Sequence, residues 1–238
     1  MSLQDNHNPM KILVIVAHPD DIEFGCAGSI ARWVQEGAEV VYCMVTDGSA
    51  GSNDPSVERK ALIQRRQEEQ LAAAAQLGVK DVRFLGYCDS MLQPTLELRK
   101  ELTRLIREVR PDRVLCQDPT TVFVRDGYIN HPDHRAAGEA AIYAIFPSAE
   151  TRPCFPELLA EGYEPHHVSE LYLTLTMNPD TIVDISATIE QKISALLAHS
   201  SQVGPESEQW VRERNADLGK EHGYAYAEPF KVMKFPRD

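Results

Sequence analysis

Lys11-Ile12-Leu13-Val14-Ile15-Val16-Ala17-His18-Pro19-Asp20-Asp21 begins as an unbroken apolar run and ends in one imidazole and two carboxylates. A run of this length without polar alternation predicts a strand buried on both faces, as in a parallel sheet. At the carboxyl end of such a strand a dinucleotide binder would carry G-x-G-x-x-G, whose glycines let backbone amides approach a phosphate. His18-Pro19-Asp20-Asp21 stands there instead. The glycines that follow, in Phe24-Gly25-Cys26-Ala27-Gly28, fall inside a predicted helix at the wrong spacing.

Outward from this stretch the pattern alternates. Helix is expected over 24–36, closed by Gly37, then strand over 39–46, helix over 57–77 stopped by Gly78, and strand over 81–85. Helix over 96–109, strand over 112–117 and helix over 134–145 follow. Strands over 171–176 and 181–185 and helices over 187–199 and 208–220 complete the expectation. Strand–helix alternation predicts an α/β, Rossmann-like fold, an open and mostly parallel sheet with helices on both faces. The length of 238 residues suits a single domain over 11–238, with the polar stretch 1–10 as a disordered tail. The proline-rich segment 147–165 is the candidate lid or excursion, and it and 119–130 are the candidate specificity loops.

Composition narrows the partners. The 36 acidic residues against 24 basic ones give a net charge of -12. That argues against nucleic acid or an anionic membrane, both of which require a positive face. No segment approaches the ~20 apolar residues of a membrane span, and the N-terminus lacks the layout of a signal peptide. Five widely spaced cysteines without a C-x-x-C pair read as buried apolar residues in a reducing cytoplasm.

A second cluster, His131-Pro132-Asp133-His134, follows the strand over 112–117 and its loop. Alone, His-Pro-Asp is also a helix start, with Asp as the cap and Pro in the first turn. Two such tetrapeptides after strands that can be neighbours point instead to one shared metal. His18, Asp21 and His134 supply two imidazoles and a carboxylate, the donor set of a catalytic zinc site with an open position for water. Asp20 is left as general base, and His131 as oxyanion donor or as acid toward a leaving amine. These are the parts of amide hydrolysis. The same three ligands would also suit Fe(II). The loop Thr46–Gly51 reads as a pocket wall or a plain turn, and Asp89 as a ligand for substrate hydroxyls or a cap.

These residues resemble the LmbE/PIG-L family of metal-dependent N-deacetylases, which pairs Ala-His-Pro-Asp-Asp with a later His-Pro-Asp-His. Here the two motifs are Ala17–Asp21 and His131–His134. Further likenesses are Thr46-Asp47-Gly48-Ser49-Ala50-Gly51 (with Ser49 in place of an acid), Arg66-Gln67-Glu68-Glu69 ahead of Leu77-Gly78-Val79, and Arg110-Pro111-Asp112. His199-Ser200-Ser201-Gln202 and Tyr226-Ala227-Glu228-Pro229-Phe230 extend coverage to about residues 11–232. The resemblance implies a Rossmann-like fold, Zn2+ and removal of an N-acetyl group from a glucosamine-type sugar. It also implies substrate contacts from Arg66 and Asp89 and a homo-oligomer, trimer or hexamer. An amidase for a thiol conjugate or an acylated antibiotic would share every catalytic residue, whereas a non-catalytic binding module would be expected to lack Asp20 or His131.

Overall fold

A computed structural model describes residues 9–124 and 127–236. Nearly all of the expected tail over 1–10 lies outside the described residues. Among the described residues nine strands form: β1 (Lys11–Val16), β2 (Glu39–Thr46), β3 (Asp81–Tyr87), β4 (Arg113–Gln117), β5 (Phe123–Val124), β6 (Tyr128–Ile129), β7 (Glu170–Thr174), β8 (Thr181–Asp184) and β9 (Ala227–Lys234). The helices are α1 (Asp21–Gly25), α2 (Ala27–Gln35), α3 (Arg59–Gln76), α4 (Leu96–Val109), α5 (Pro132–Tyr143), α6 (Pro156–Ala160), α7 (Ile189–Leu197) and α8 (Pro205–Glu221).

Seven strands make one sheet in the order β3-β2-β1-β4-β7-β9-β8, and β5 pairs with β6 in a separate hairpin. The pairs from β3 across to β7 are parallel. In β1 the side chains from Ile12 to Val16 are fully buried. Leu13, Ile15 and Ala17 face one core with Leu98, Leu102, Ala137 and Ala141. Ile12, Val14 and Val16 face the other, with Ile30, Trp33, Ala73 and Phe230. Each such aliphatic side chain contributes about 1.5–3 kcal/mol on full burial, so β1 anchors both layers. The strand order runs outward one way from β1 to β3 and the other way from β4 to β7, so β1 and β4 flank the switch point where α/β sheets open a crevice at their carboxyl ends.

Three expectations are corrected. The helix expected over 24–36 is two helices, α1 and α2, parted at Cys26, whose φ of -146 is not helical. Strand β9 was missed as an element. It lies between β7 and β8, antiparallel to both, and Pro229 hid it, since proline has no N–H for a central ladder. The register explains its tolerance: β7 pairs only with Lys231–Lys234 and β8 only with Ala227–Phe230, so β9 is one-sided at Pro229. Finally, the segment 147–165 is no free lid. Arg107 Nη2 donates to the carbonyls of Ser148, Thr151 and Cys154, and Arg99 Nε to Ser148 Oγ, fastening the segment to α4.

Helix α5 approaches β4 so closely that a Cβ on Gly138 would lie 2.2 Å from the Gln117 carbonyl oxygen. Gly138→Ala is therefore expected to cost ~1–3 kcal/mol and to shift α5. Thermal unfolding checks this, and an unchanged midpoint would contradict the contact.

Candidate metal centre and active site

Both tetrapeptides arrive at the switch point, one after β1 and the other at the start of α5. The β1 tip is secured first: Ala17 N–H donates to Gln117 Oε1 at 3.1 Å, and Thr46 donates to Ala17 O from both N and Oγ1 at 2.8 Å. The chain then turns sharply. Asp20 has φ 91, a left-handed conformation that costs a non-glycine residue energy. Its N–H donates to Gln70 Oε1 at 3.1 Å, while Arg66 Nη2 donates to Pro19 O at 2.7 Å and to Asp20 Oδ2 at 3.0 Å. Arg66 and Gln70 lie one turn apart on α3, so one helix face grips both sides of the bend.

The turn aims Asp21 inward as the first residue of α1. Asp21 Oδ2 accepts the His18 N–H at 2.7 Å and lies 3.5 Å from His18 Nδ1, while Asp21 Oδ1 lies 2.9 Å from His134 Nε2. His18, Asp21 and His134 are all buried, and their ligand atoms lie within 4.8 Å of one another. The far side of each imidazole faces an acceptor. His18 Nε2 lies 3.2 Å from Asp89 Oδ1 and 3.4 Å from Asp133 Oδ2, and His134 Nδ1 lies 2.9 Å from Asn130 Oδ1. Outer acceptors of this kind orient the inner nitrogens of metal-bound histidines. His18, His131 and Asp133 form a second group within the same span. There, however, Asp133 already accepts the N–H groups of Ser90 and Leu92.

The electrostatics call for a cation. Burial alone would lower the His18 pKa, but Asp21, Asp133 and Asp89 outweigh it and push it up to about 12. Burial would raise Asp21 and Asp89, yet His134 and His18 hold Asp21 well below the usual carboxylate range. Asp89 is held down by His18, the Ala50 N–H and Arg66. Asp20 differs. Burial, only partly offset by Arg66, raises it to about 6. His131 is lowered, by burial and then by the charge of His18.

His131, not Asp133, caps α5: its Nδ1 accepts the Asp133 N–H at 3.2 Å, with Pro132 in the first turn. The structure thus brings His18, Asp20, Asp21, His131 and His134 to one place. Arg66 and Asp89 are there too, at 4% and 6% exposure, with their polar atoms largely spent on neighbouring protein groups. Asp89 Oδ2 accepts the Ala50 N–H, which fixes the Thr46–Gly51 loop as a wall. Beside it opens a pocket of about 400 Å³ lined by Ser49, Ala50, Arg59, Asp89, Ser90 and Met91, among others. Gln70, Asn130 and the anchoring role of Asp133 were not foreseen. The one signal for Gln70 was its position four residues after Arg66 on a helix.

A family model described as PIG-L, GlcNAc-PI de-N-acetylase, matches residues 13–145, more than half of the chain, including every residue of the cluster. The chain belongs to the PIG-L family. It is an N-deacetylase, a hydrolase of amide C–N bonds, and its family is metal-dependent. Diacetylchitobiose deacetylase of Thermococcus kodakarensis is 39% identical over 230 residues, 94% of this chain and 83% of that protein. A probable N-acetyl-α-D-glucosaminyl L-malate deacetylase 2 of Bacillus anthracis is 29% identical, covering 96% of this chain and 97% of that one. Among solved structures, N,N'-diacetylchitobiose deacetylase from Pyrococcus horikoshii superposes with a TM-score of 0.88 at 33% identity, over 98% of this chain and 88% of that one. The Rossmann-like sheet is the PIG-L architecture, as the sequence predicted. Among the described residues, no helix is long and apolar enough to cross a membrane.

Proposed function

We propose that this PIG-L protein is a zinc-dependent deacetylase whose substrate is a small 2-acetamido sugar of the N-acetylglucosamine type. Diacetylchitobiose is the first candidate, by similarity to the Thermococcus relative. The observation that carries the reading is the Asp20 carboxyl, held by Arg66 in a strained turn and raised to about 6, one residue from Asp21. A carboxyl tuned toward neutrality beside a metal cluster has the properties of a general base.

The donor set fits zinc, because two imidazoles and a carboxylate converge, and the outer nitrogen of His134 is already engaged by Asn130. Zinc held by His18, Asp21 and His134 would acidify a water and polarise the acetyl carbonyl. Asp20 takes the proton of the attacking water as its oxygen adds to the carbonyl carbon. The same proton passes to the nitrogen as the C–N bond breaks, leaving acetate and a free amine. His131 works as a neutral donor. Its Nδ1 is occupied by the Asp133 N–H, so its proton sits on Nε2, from which it can hydrogen-bond the developing oxyanion. Arg66 and Asp89 shape the wall and hold Asp20 and His18. The pocket's size suits one sugar unit. The five unpaired cysteines suit a reducing cytoplasm.

Metal analysis with an amine-release assay on diacetylchitobiose and other N-acetylated sugars tests this. One metal per chain is expected, with activity lost to a chelator and restored by zinc. A metal-free protein that releases no amine after zinc is returned would overturn the reading. His134→Ala is expected to lower metal occupancy, since three protein ligands leave no spare.

A further inference from the structure

Asn130 stands between the β5–β6 hairpin and a metal ligand. It is 3% exposed. Its backbone N–H donates to Val122 O and its Nδ2 donates to Thr121 O, both at 2.8 Å, so it closes the base of the hairpin. A carbonyl only accepts, so the contact with Thr121 fixes which way the amide points. Reversing it would set Oδ1 against Thr121 O. In the orientation that remains, Oδ1 faces His134 Nδ1 at 2.9 Å. An amide oxygen also only accepts, so His134 must carry a proton on Nδ1. In the neutral ring Nε2 is then a bare lone pair, 2.9 Å from Asp21 Oδ1. Two acceptors facing one another at that distance suit a shared cation.

We propose that Asn130, its amide oriented by Thr121 O, is a positioning residue that sets the tautomer of His134 and so holds the metal in place. This rests on the metal reading above, for His134 matters here only as a ligand. Nothing in the two tetrapeptides marks Asn130. Its role arises because the chain between β4 and α5 folds back at Thr121 and Val122, placing one side chain in reach of both.

The test separates the two halves of the amide. Asn130→Leu removes both donor and acceptor. Asn130→Asp keeps an acceptor for His134 Nδ1–H but removes the donor to Thr121. Zinc-loaded wild type and both variants are mixed with excess chelator without substrate, and zinc release is timed. Thermal unfolding is recorded for each protein, with amide exchange at 121–130. Asn130→Leu is expected to release zinc ~10–100-fold faster, the range for loss of an outer partner of a metal-bound histidine. Asn130→Asp is expected to hold zinc about as long as wild type, while exchange at 121–124 rises. A merely structural Asn130 would make the two variants lose zinc alike, and that result overturns the proposal. Release from Asn130→Leu at the wild-type rate overturns it too. Failure of wild type to bind zinc would instead overturn the metal reading, because it precedes any variant.

Discussion

Asp20→Asn is expected to keep its metal and its fold while kcat falls by ~10²–10⁴, the range for loss of a general base. Asparagine is the informative replacement. It tolerates the left-handed φ of 91 that alanine would strain, and its amide oxygen can still accept from Arg66 Nη2, as Asp20 Oδ2 does at 3.0 Å. What is lost is the capacity to take a proton. KM is expected to change little, because the wall at Ser49, Asp89 and Ser90 is untouched. The pH profile follows with a definite sign. The base must be unprotonated, so activity rises with pH through the Asp20 pKa, which burial puts at about 6. A bound cation favours the carboxylate, so the acid limb should fall at or below that value. Kinetics and metal analysis of the variant decide the matter. Loss of metal would make Asp20 a ligand, and an unchanged kcat would remove it from the chemistry.

Glu228→Ala is expected to destabilise the fold by ~3–5 kcal/mol, the cost of leaving one partner of a buried ion pair alone. Lys192 and Glu228 have no solvent exposure, and Nζ lies 2.5 Å from Oε1. The two Glu228 oxygens also accept Gly28 N–H at 3.0 Å and Ser29 N–H at 2.7 Å, at the start of α2. Lys192 Nζ donates to Phe24 O at 3.2 Å. One pair therefore joins β9 and α7 to the α1–α2 break behind the His18–Asp21 loop. Removing the carboxylate leaves an ammonium without a counter-ion and orphans two N–H groups. Denaturant unfolding checks this. Replacing both partners, Lys192→Met with Glu228→Gln, should cost less than the sum of the single changes, because no charge is then stranded. A Glu228→Ala protein as stable as wild type would refute the account.

Much of this molecule was legible without coordinates. The KILVIVA run gave a doubly buried strand, because a side chain that is apolar at every position has no face to offer water. The two tetrapeptides gave the candidate metal donors and the proposed base, Asp20, because ligand chemistry resides in residue type and the strand-then-helix pattern places both clusters at one sheet edge. Fold class followed from local periodicity alone. Arg66 came near the site only through the resemblance, and Asp89 also through its place after a strand, but the duties of both came from neither.

Those duties were decided by contacts between residues far apart in the chain. Gln70 holds the Asp20 N–H from 50 residues away. Asp133 sits beside His18 and anchors the chain at Ser90. Strand β9 survives Pro229 only because neither neighbour spans its whole length. Residue type states what a group can donate or accept, and periodicity states which face it occupies. Which acceptor meets which donor, and hence which carboxylate stays charged, which is raised and where each imidazole keeps its proton, is set only when the packed chain removes water and leaves each buried polar group its few remaining partners.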